Sequence, residues 1–251
     1  MSNLPKLKTP TYFLTIPSTK KKVKYRPFLV QEEKILLLIK ESEDEKEMVN
    51  CMKDIISACT YGKVDVSKLA LFDIEYMFLQ LRAKSIGETI EIPMKCKNEI
   101  EELVVNEEGI NEKKTKVCGN VINFVIDLTK VKVKFPINHT KDIIIEDDIG
   151  VSFRYPDIDD TINSDMIKEN PIEYIASLIT SIFDKDNIYD ASVVKKEDMV
   201  NWLNQLTRKQ FEKIQKNFFD SMPSIKHTIK YKCDKCGKSG EYTFEGVSDF
   251  F

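Results

Sequence analysis

The chain has 251 residues, 42% hydrophobic and 31% charged, a balance suited to one large or two small globular domains with buried cores. Its 38 basic and 41 acidic residues nearly cancel, which removes any bulk attraction to nucleic acid. No run of about eighteen apolar residues occurs, and the start Met1-Ser-Asn-Leu-Pro-Lys6 carries no signal-peptide core. The expected setting is a cytoplasm, where six cysteines serve as thiols or metal ligands more readily than as disulfides. Two histidines, His139 and His227, limit acid–base chemistry near neutral pH. His139 reads as a loop residue after Pro136, and His227 as a strand residue facing solvent.

Residues 1–11, with Pro5 and Pro10, read as an extended arm. Tyr12–Ile16 and Val23–Arg26 form an opening hairpin around Pro17-Ser-Thr-Lys20, and Pro27 stops the ladder because it lacks a donor. A helix starts near Gln31-Glu-Glu33, where acidic residues meet the positive end of the helix dipole. After the charged break at 41–47, Met48, Val49, Met52, Ile55, Ile56 and Cys59 make one helical stripe. Cys51 falls off that stripe; both it and Cys59 read as core or surface thiols. Gly62 ends the helix, and Ser67 is the expected N-cap of the next, Lys68 to Ser85. That helix is apolar on two sides, with Leu69, Phe72, Tyr76, Leu79 and Ala83 opposite Leu71, Ile74, Phe78 and Leu81. It therefore needs cover on both. Either it crosses the middle of the domain or the face of Leu71, Ile74 and Phe78 awaits a protein partner.

A strand from Glu88 reaches Cys96; residues 97–117 are polar and charge-rich; Cys118-Gly119 leads to a returning strand, Val121–Leu128, that continues to Phe135. Ile143–Ile145 and Val151–Tyr155 read as strands. Asn170-Pro171 opens a helix with a stripe through Ile172, Ile175, Ile179 and Ile182. Further helices carry Met199 to Leu206 and, after a Thr207 cap, Phe211 to Met222. The end is strand, Cys233-Asp-Lys-Cys236-Gly237 turn, strand.

Element order recurs. Both halves pass from a strand ending at Arg26-Pro27 or Arg154-Tyr155-Pro156, through helices, to a cysteine-bearing hairpin. The expected fold is α+β in two loosely repeated units, 12–140 and 141–251, each with short antiparallel strands, helices and a C-terminal cysteine-bearing β-hairpin. Cys96 then corresponds to Cys233 and Cys118 to Cys236, the first knuckle being stretched to C-x21-C. Glycine follows the second cysteine of each pair, where a knuckle turn needs positive φ. Two half-sites would make one four-cysteine zinc site, closed and therefore structural. The competing reading leaves Cys233 and Cys236 as a free pair.

Catalytic patterns are missing. Gly237-Lys-Ser239 lacks the upstream glycine of a phosphate loop and enters a strand. The acidic clusters Glu146-Asp-Asp148 and Asp157-Ile-Asp-Asp160 lack calcium-loop spacing and read as solvated loops. No residue stands out as nucleophile or general base, so a binding or structural protein is expected. A zinc-stabilised nucleic-acid-binding module, using Lys20 to Arg26 and Lys230 to Lys238, is the alternative.

The segments Tyr25-Arg26-Pro27-Phe28 running into Glu32-Glu33, Phe72 to Lys84, Ile86-Gly87-Glu88 and Val125-Ile-Asp-Leu128 together resemble the baseplate hub assembly proteins of T4-type contractile-tailed bacteriophages, the small hub subunit and hub assembly catalyst. The resemblance is strongest over residues 12–135; the long C-x21-C insertion departs from a compact C-x-x-C in relatives. It implies a non-enzymatic protein made in the infected bacterial cytoplasm, either a component of the virion tail or a factor that acts only during assembly, with other hub proteins, including tape-measure and central spike proteins, as partners.

Overall fold

The computed structural model describes residues 7–42, 45–105, 111–162 and 169–250. The arm expected over residues 1–11 is described only from residue 7, without helix or strand before Tyr12. β1 (Tyr12–Thr15) and β2 (Lys22–Tyr25) pair antiparallel. Their turn needs Lys20 at φ 58°, and Ser18 donates its backbone N–H to Asp73 Oδ1 at 2.9 Å, tying the hairpin to the third helix.

α1 (Val30–Ser42) and α2 (Glu45–Cys59) follow. Met52, Ile55, Ile56 and Cys59 are buried as the stripe requires, but so is Cys51; the side chains of Met48 and Val49 lie outside the described residues. α3 (Leu71–Ser85) begins three residues later than expected. Val66–Lys68 is a separate 3-10 turn, and Ala70 caps the helix without a side-chain bond.

α3 is the shared wall of two cores. Ile74, Met77, Phe78 and Leu81 pack with Leu14, Ile16, Tyr25 and α2 in the first. Leu79 and Ala83 face the second, with Ile90, Phe124, Ile126, Ile225 and Phe244. Burying each of the larger side chains among these is worth about 1.5–3 kcal/mol, so the two stripes hold both layers on one helix. The partner surface expected at Leu71, Ile74 and Phe78 is thereby corrected. Ile74 and Phe78 are 1% and 3% exposed, covered by the chain's own hairpin and helices, and Leu71 is half-buried.

The second core rests on β3 (Thr89–Lys95) paired with β6 (Val121–Asp127), and on β7 (Lys132–Lys134) against the later strands β12 (Ser224–Lys232) and β13 (Ser239–Glu245), in the order β13-β12-β7. Between β3 and β6 the polar segment folds back as β4 (Glu99–Val105) and β5 (Asn111–Val117), an antiparallel ribbon. A third core lies under the sheet β11-β10-β9-β8, built from β8 (Asp142–Glu146), β9 (Ile149–Phe153), β10 (Ile179–Phe183) and β11 (Ile188–Asp190).

One expectation fails here. The helix after Asn170 stops at Leu178: α5 is Pro171–Leu178, after a short α4 (Ile158–Ile162). Ile179-Thr-Ser-Ile-Phe183 continues as a strand, because β-branched and aromatic residues fit a pleated sheet and β9 offers a free edge for pairing. α6 (Lys196–Asn204) and α7 (Arg208–Ile214) follow. Thr207 caps α7 in a reciprocal box with Gln210, and a π turn, Gln215–Phe219, extends it.

The observed class is α+β, with short antiparallel strands in small sheets. Local geometry recurs along the chain. Arg26 bonds the carbonyl of Pro27 and the carboxylate of Glu32, which also accepts the N–H of Leu29. Arg154 bonds the carbonyl of Tyr155 and the carboxylate of Asp160, which accepts the N–H of Asp157. The backbone N–H of each arginine reaches the last residue of a helix, Cys59 or Leu178.

Candidate metal centre

Two hairpins bring the cysteines together. In the first, Cys96 donates its N–H to the carbonyl of Asn120 at 2.8 Å, and Gly119 donates to the carbonyl of Cys96 at 3.0 Å. In the second, Cys233 donates to Lys238 and Gly237 to Cys233, both at 2.8 Å. Gly119 and Gly237 sit at φ 66° and 73°, a region open to glycine and costly for a residue with Cβ. The same turn is therefore built twice, once closing two intervening residues and once closing the β4–β5 ribbon.

The four ligand sulfurs lie within 4.8 Å of one another. Cys96 and Cys236 Sγ are 3.7 Å apart, and Cys118 and Cys233 Sγ 3.8 Å. A tetrahedron with metal–sulfur bonds of about 2.3 Å has edges of about 3.8 Å. A disulfide needs about 2.05 Å, and all four are free thiols. Cys96, Cys118 and Cys233 are buried and Cys236 is partly exposed.

Amide donors surround the sulfurs, with two side chains placed alike: Asn98 Nδ2 lies 3.6 Å from Cys236 Sγ, and Asn120 Nδ2 3.6 Å from Cys233 Sγ. The backbone N–H of Cys236, then that of Lys235, holds the Cys233 thiol down at about 6. At Cys96 the N–H of Asn98 pulls the same way, but burial and three neighbouring thiols push it up to about 11. Four thiols this close resist ionising together; a divalent cation at their centre removes that conflict. The donor set of four sulfurs suits zinc better than oxygen-preferring ions, and leaves no open position for substrate.

The remaining sequence candidates fall elsewhere. Cys51 and Cys59 are buried away from this cluster, and burial pushes Cys59 up to about 11. His139 is in a loop but is a packed residue: its ring stacks near Tyr155 and Phe218, with Nδ1 3.1 Å from Ser221 Oγ and Nε2 3.0 Å from Tyr155 Oη. His227 lies in β12, half-buried rather than facing solvent freely. The carboxylates of Asp157 and Asp160 are taken by Arg154, which grips Asp160 at 2.6 and 3.0 Å, and Asp159 meets Lys53 at 3.5 Å; Glu146-Asp-Asp148 forms the β8–β9 turn, with Asp147 at φ 44°. Sequence reasoning missed Asn98 and Asn120 as sulfur donors. Their signal was present, since each follows its cysteine by two positions.

The scaffold is a mixed α+β one with a cysteine cluster between two hairpins, and no helix among the described residues is long and apolar enough to cross a membrane. The family model described as T4 bacteriophage base plate protein matches residues 9–251, and the chain belongs to that family. No curated protein and no solved structure matches it. Membership implies a structural or assembly role in the tail baseplate, with other phage baseplate proteins as partners.

Proposed function

We propose that this protein helps build the baseplate hub, as hub component or assembly factor, through contacts with other hub proteins, tape-measure and central spike proteins among them, and without catalysis of its own. It acts in the host bacterial cytoplasm during assembly, and as a hub component it would remain in the tail baseplate of the virion. The family match over nearly the whole chain carries this reading. Co-expression with each hub component and affinity capture tests it: stable co-purification with at least one is expected, and capture that returns none of them overturns it.

Within that role the four cysteines hold one structural zinc ion. Their approach to within 4.8 Å of one another, with two sulfur pairs at 3.7 and 3.8 Å, and the amide donors aimed at them support this. The ion clamps unit 12–140 to unit 141–251, each contributing two thiolates; the recurring arginine and knuckle geometry supports reading the units as a duplication.

A further inference from the structure

The insertion in the first knuckle is itself built. β4 and β5 pair over seven rungs, from Glu99 with Val117 to Val105 with Asn111. Among the described residues no third strand joins either one. At its base Ile100 packs against the cysteine cluster. Beyond it Leu103 is 67% exposed, and Val117, on the base rung opposite Glu99, is itself 57% exposed. A lone two-stranded ribbon is marginal in water, and its unpaired edges are templates for another strand.

Charge divides between the two strands. β4 carries Glu99, Glu101 and Glu102 and no basic residue; β5 carries Lys113, Lys114 and Lys116 against Glu112. Within the ribbon Lys113 pairs with Glu101 at 2.7 Å, and Lys116 with Glu102, so the strands are complementary in the antiparallel register. We propose that the ribbon is a self-association arm: the outer edge of β4 in one copy takes the outer edge of β5 in a second copy.

Three arguments choose this occupant and direction. Laying β5 of the next copy beside β4 continues the up–down order, so the sheet stays antiparallel. Acidic edge then meets basic edge, repeating the match already made inside the chain. The two-fold alternatives set three glutamates against three glutamates, or lysines against lysines, and like charges on facing strands destabilise a sheet. A head-to-tail contact uses two different patches and ends only by closing into a ring. Edge charges normally discourage strand pairing; divided by strand, they discourage only the wrong pairing.

Sedimentation of the full chain at low and high salt tests this, with two variants. In one, residues 102–114 are replaced by Asn-Gly, a two-residue hairpin turn joining Glu101 to Thr115, which keeps Asn98 and Ile100 at the cysteine cluster. In the other, Glu101→Lys, Glu102→Lys, Lys113→Glu and Lys116→Glu exchange the charges and keep the ribbon's own pairs. The unmodified chain is expected to form a closed oligomer that weakens with salt. The excised variant should be monomeric with unchanged thiol protection, and the exchanged variant should self-associate without entering oligomers of the unmodified chain. A monomeric full chain at low salt overturns the proposal, as does an excised variant with the same oligomer or free co-assembly of the exchanged and unmodified chains. Capture of a different baseplate protein by the ribbon of a monomeric chain overturns it as well.

Discussion

Cys96 and Cys236 Sγ stand 3.7 Å apart although 140 residues separate them. The contact joins the first cysteine of one knuckle to the second of the other, and Cys118 with Cys233 completes the reciprocal pair at 3.8 Å. Neither hairpin completes a site alone. A bound ion therefore links distant parts of the chain, and its binding energy becomes folding energy.

Metal analysis of protein prepared without chelators should find about one zinc per chain, as a closed four-thiolate site holds one ion. Cys233→Ser should lose it and lower the unfolding temperature sharply; Cys51→Ala and Cys59→Ala should retain it. Protein without stoichiometric zinc would sink the metal assignment and leave the baseplate role standing.

Two glycines separate backbone strain from crowding. Gly237 has positive φ and no atom within 4 Å of the position an added Cβ would take, so Gly237→Ala should cost about 1–2 kcal/mol from conformation alone. At Gly150 an added Cβ would overlap the Phe183 ring and come 2.9 Å from the carbonyl of Ile143. Gly150→Ala should cost more, about 1–3 kcal/mol or above. Denaturant unfolding of both variants checks the order.

Acid should weaken the first core through Glu32. Burial pushes its carboxyl up, but bonds from Arg26, Gln31 and the N–H of Leu29 outweigh that and hold it at about 2, against an ordinary 4.5. A depressed folded-state value contributes stability above the unfolded value and loses it as pH falls from about 4.5 towards 2. The contribution is on the order of 3 kcal/mol, for a side chain only 7% exposed. Glu32→Gln should flatten the dependence in this window, measured by unfolding at pH steps.

Phe78→Ala should behave as a core truncation, costing about 3–5 kcal/mol, since Phe78 is 3% exposed against the chain's own elements. Unfolding measurements read this directly. A variant of unchanged stability would contradict the placement of α3 between two cores.

Signals carried by single residues could be read without a fold: Pro27 ending a strand, Gly62 and Gly237 turning the chain, Thr207 capping a helix, and two apolar stripes on α3. The four cysteines were also readable as two pairs, because the same element order leads to Cys233 and Cys236-Gly237 at the end of one half and to Cys96 and Cys118-Gly119 at the end of the other. What the sequence could not decide were choices made by distant neighbours. Ile179 to Phe183 suits either helix or strand until β9 offers an edge. Cys51 lies off its helical stripe until a second surface covers it. The second face of α3 could have met a partner or the chain itself, and only packing against Leu14, Ile16 and Tyr25 decided which. Burial and pairing belong to both surfaces in a contact, and a local pattern specifies one of them.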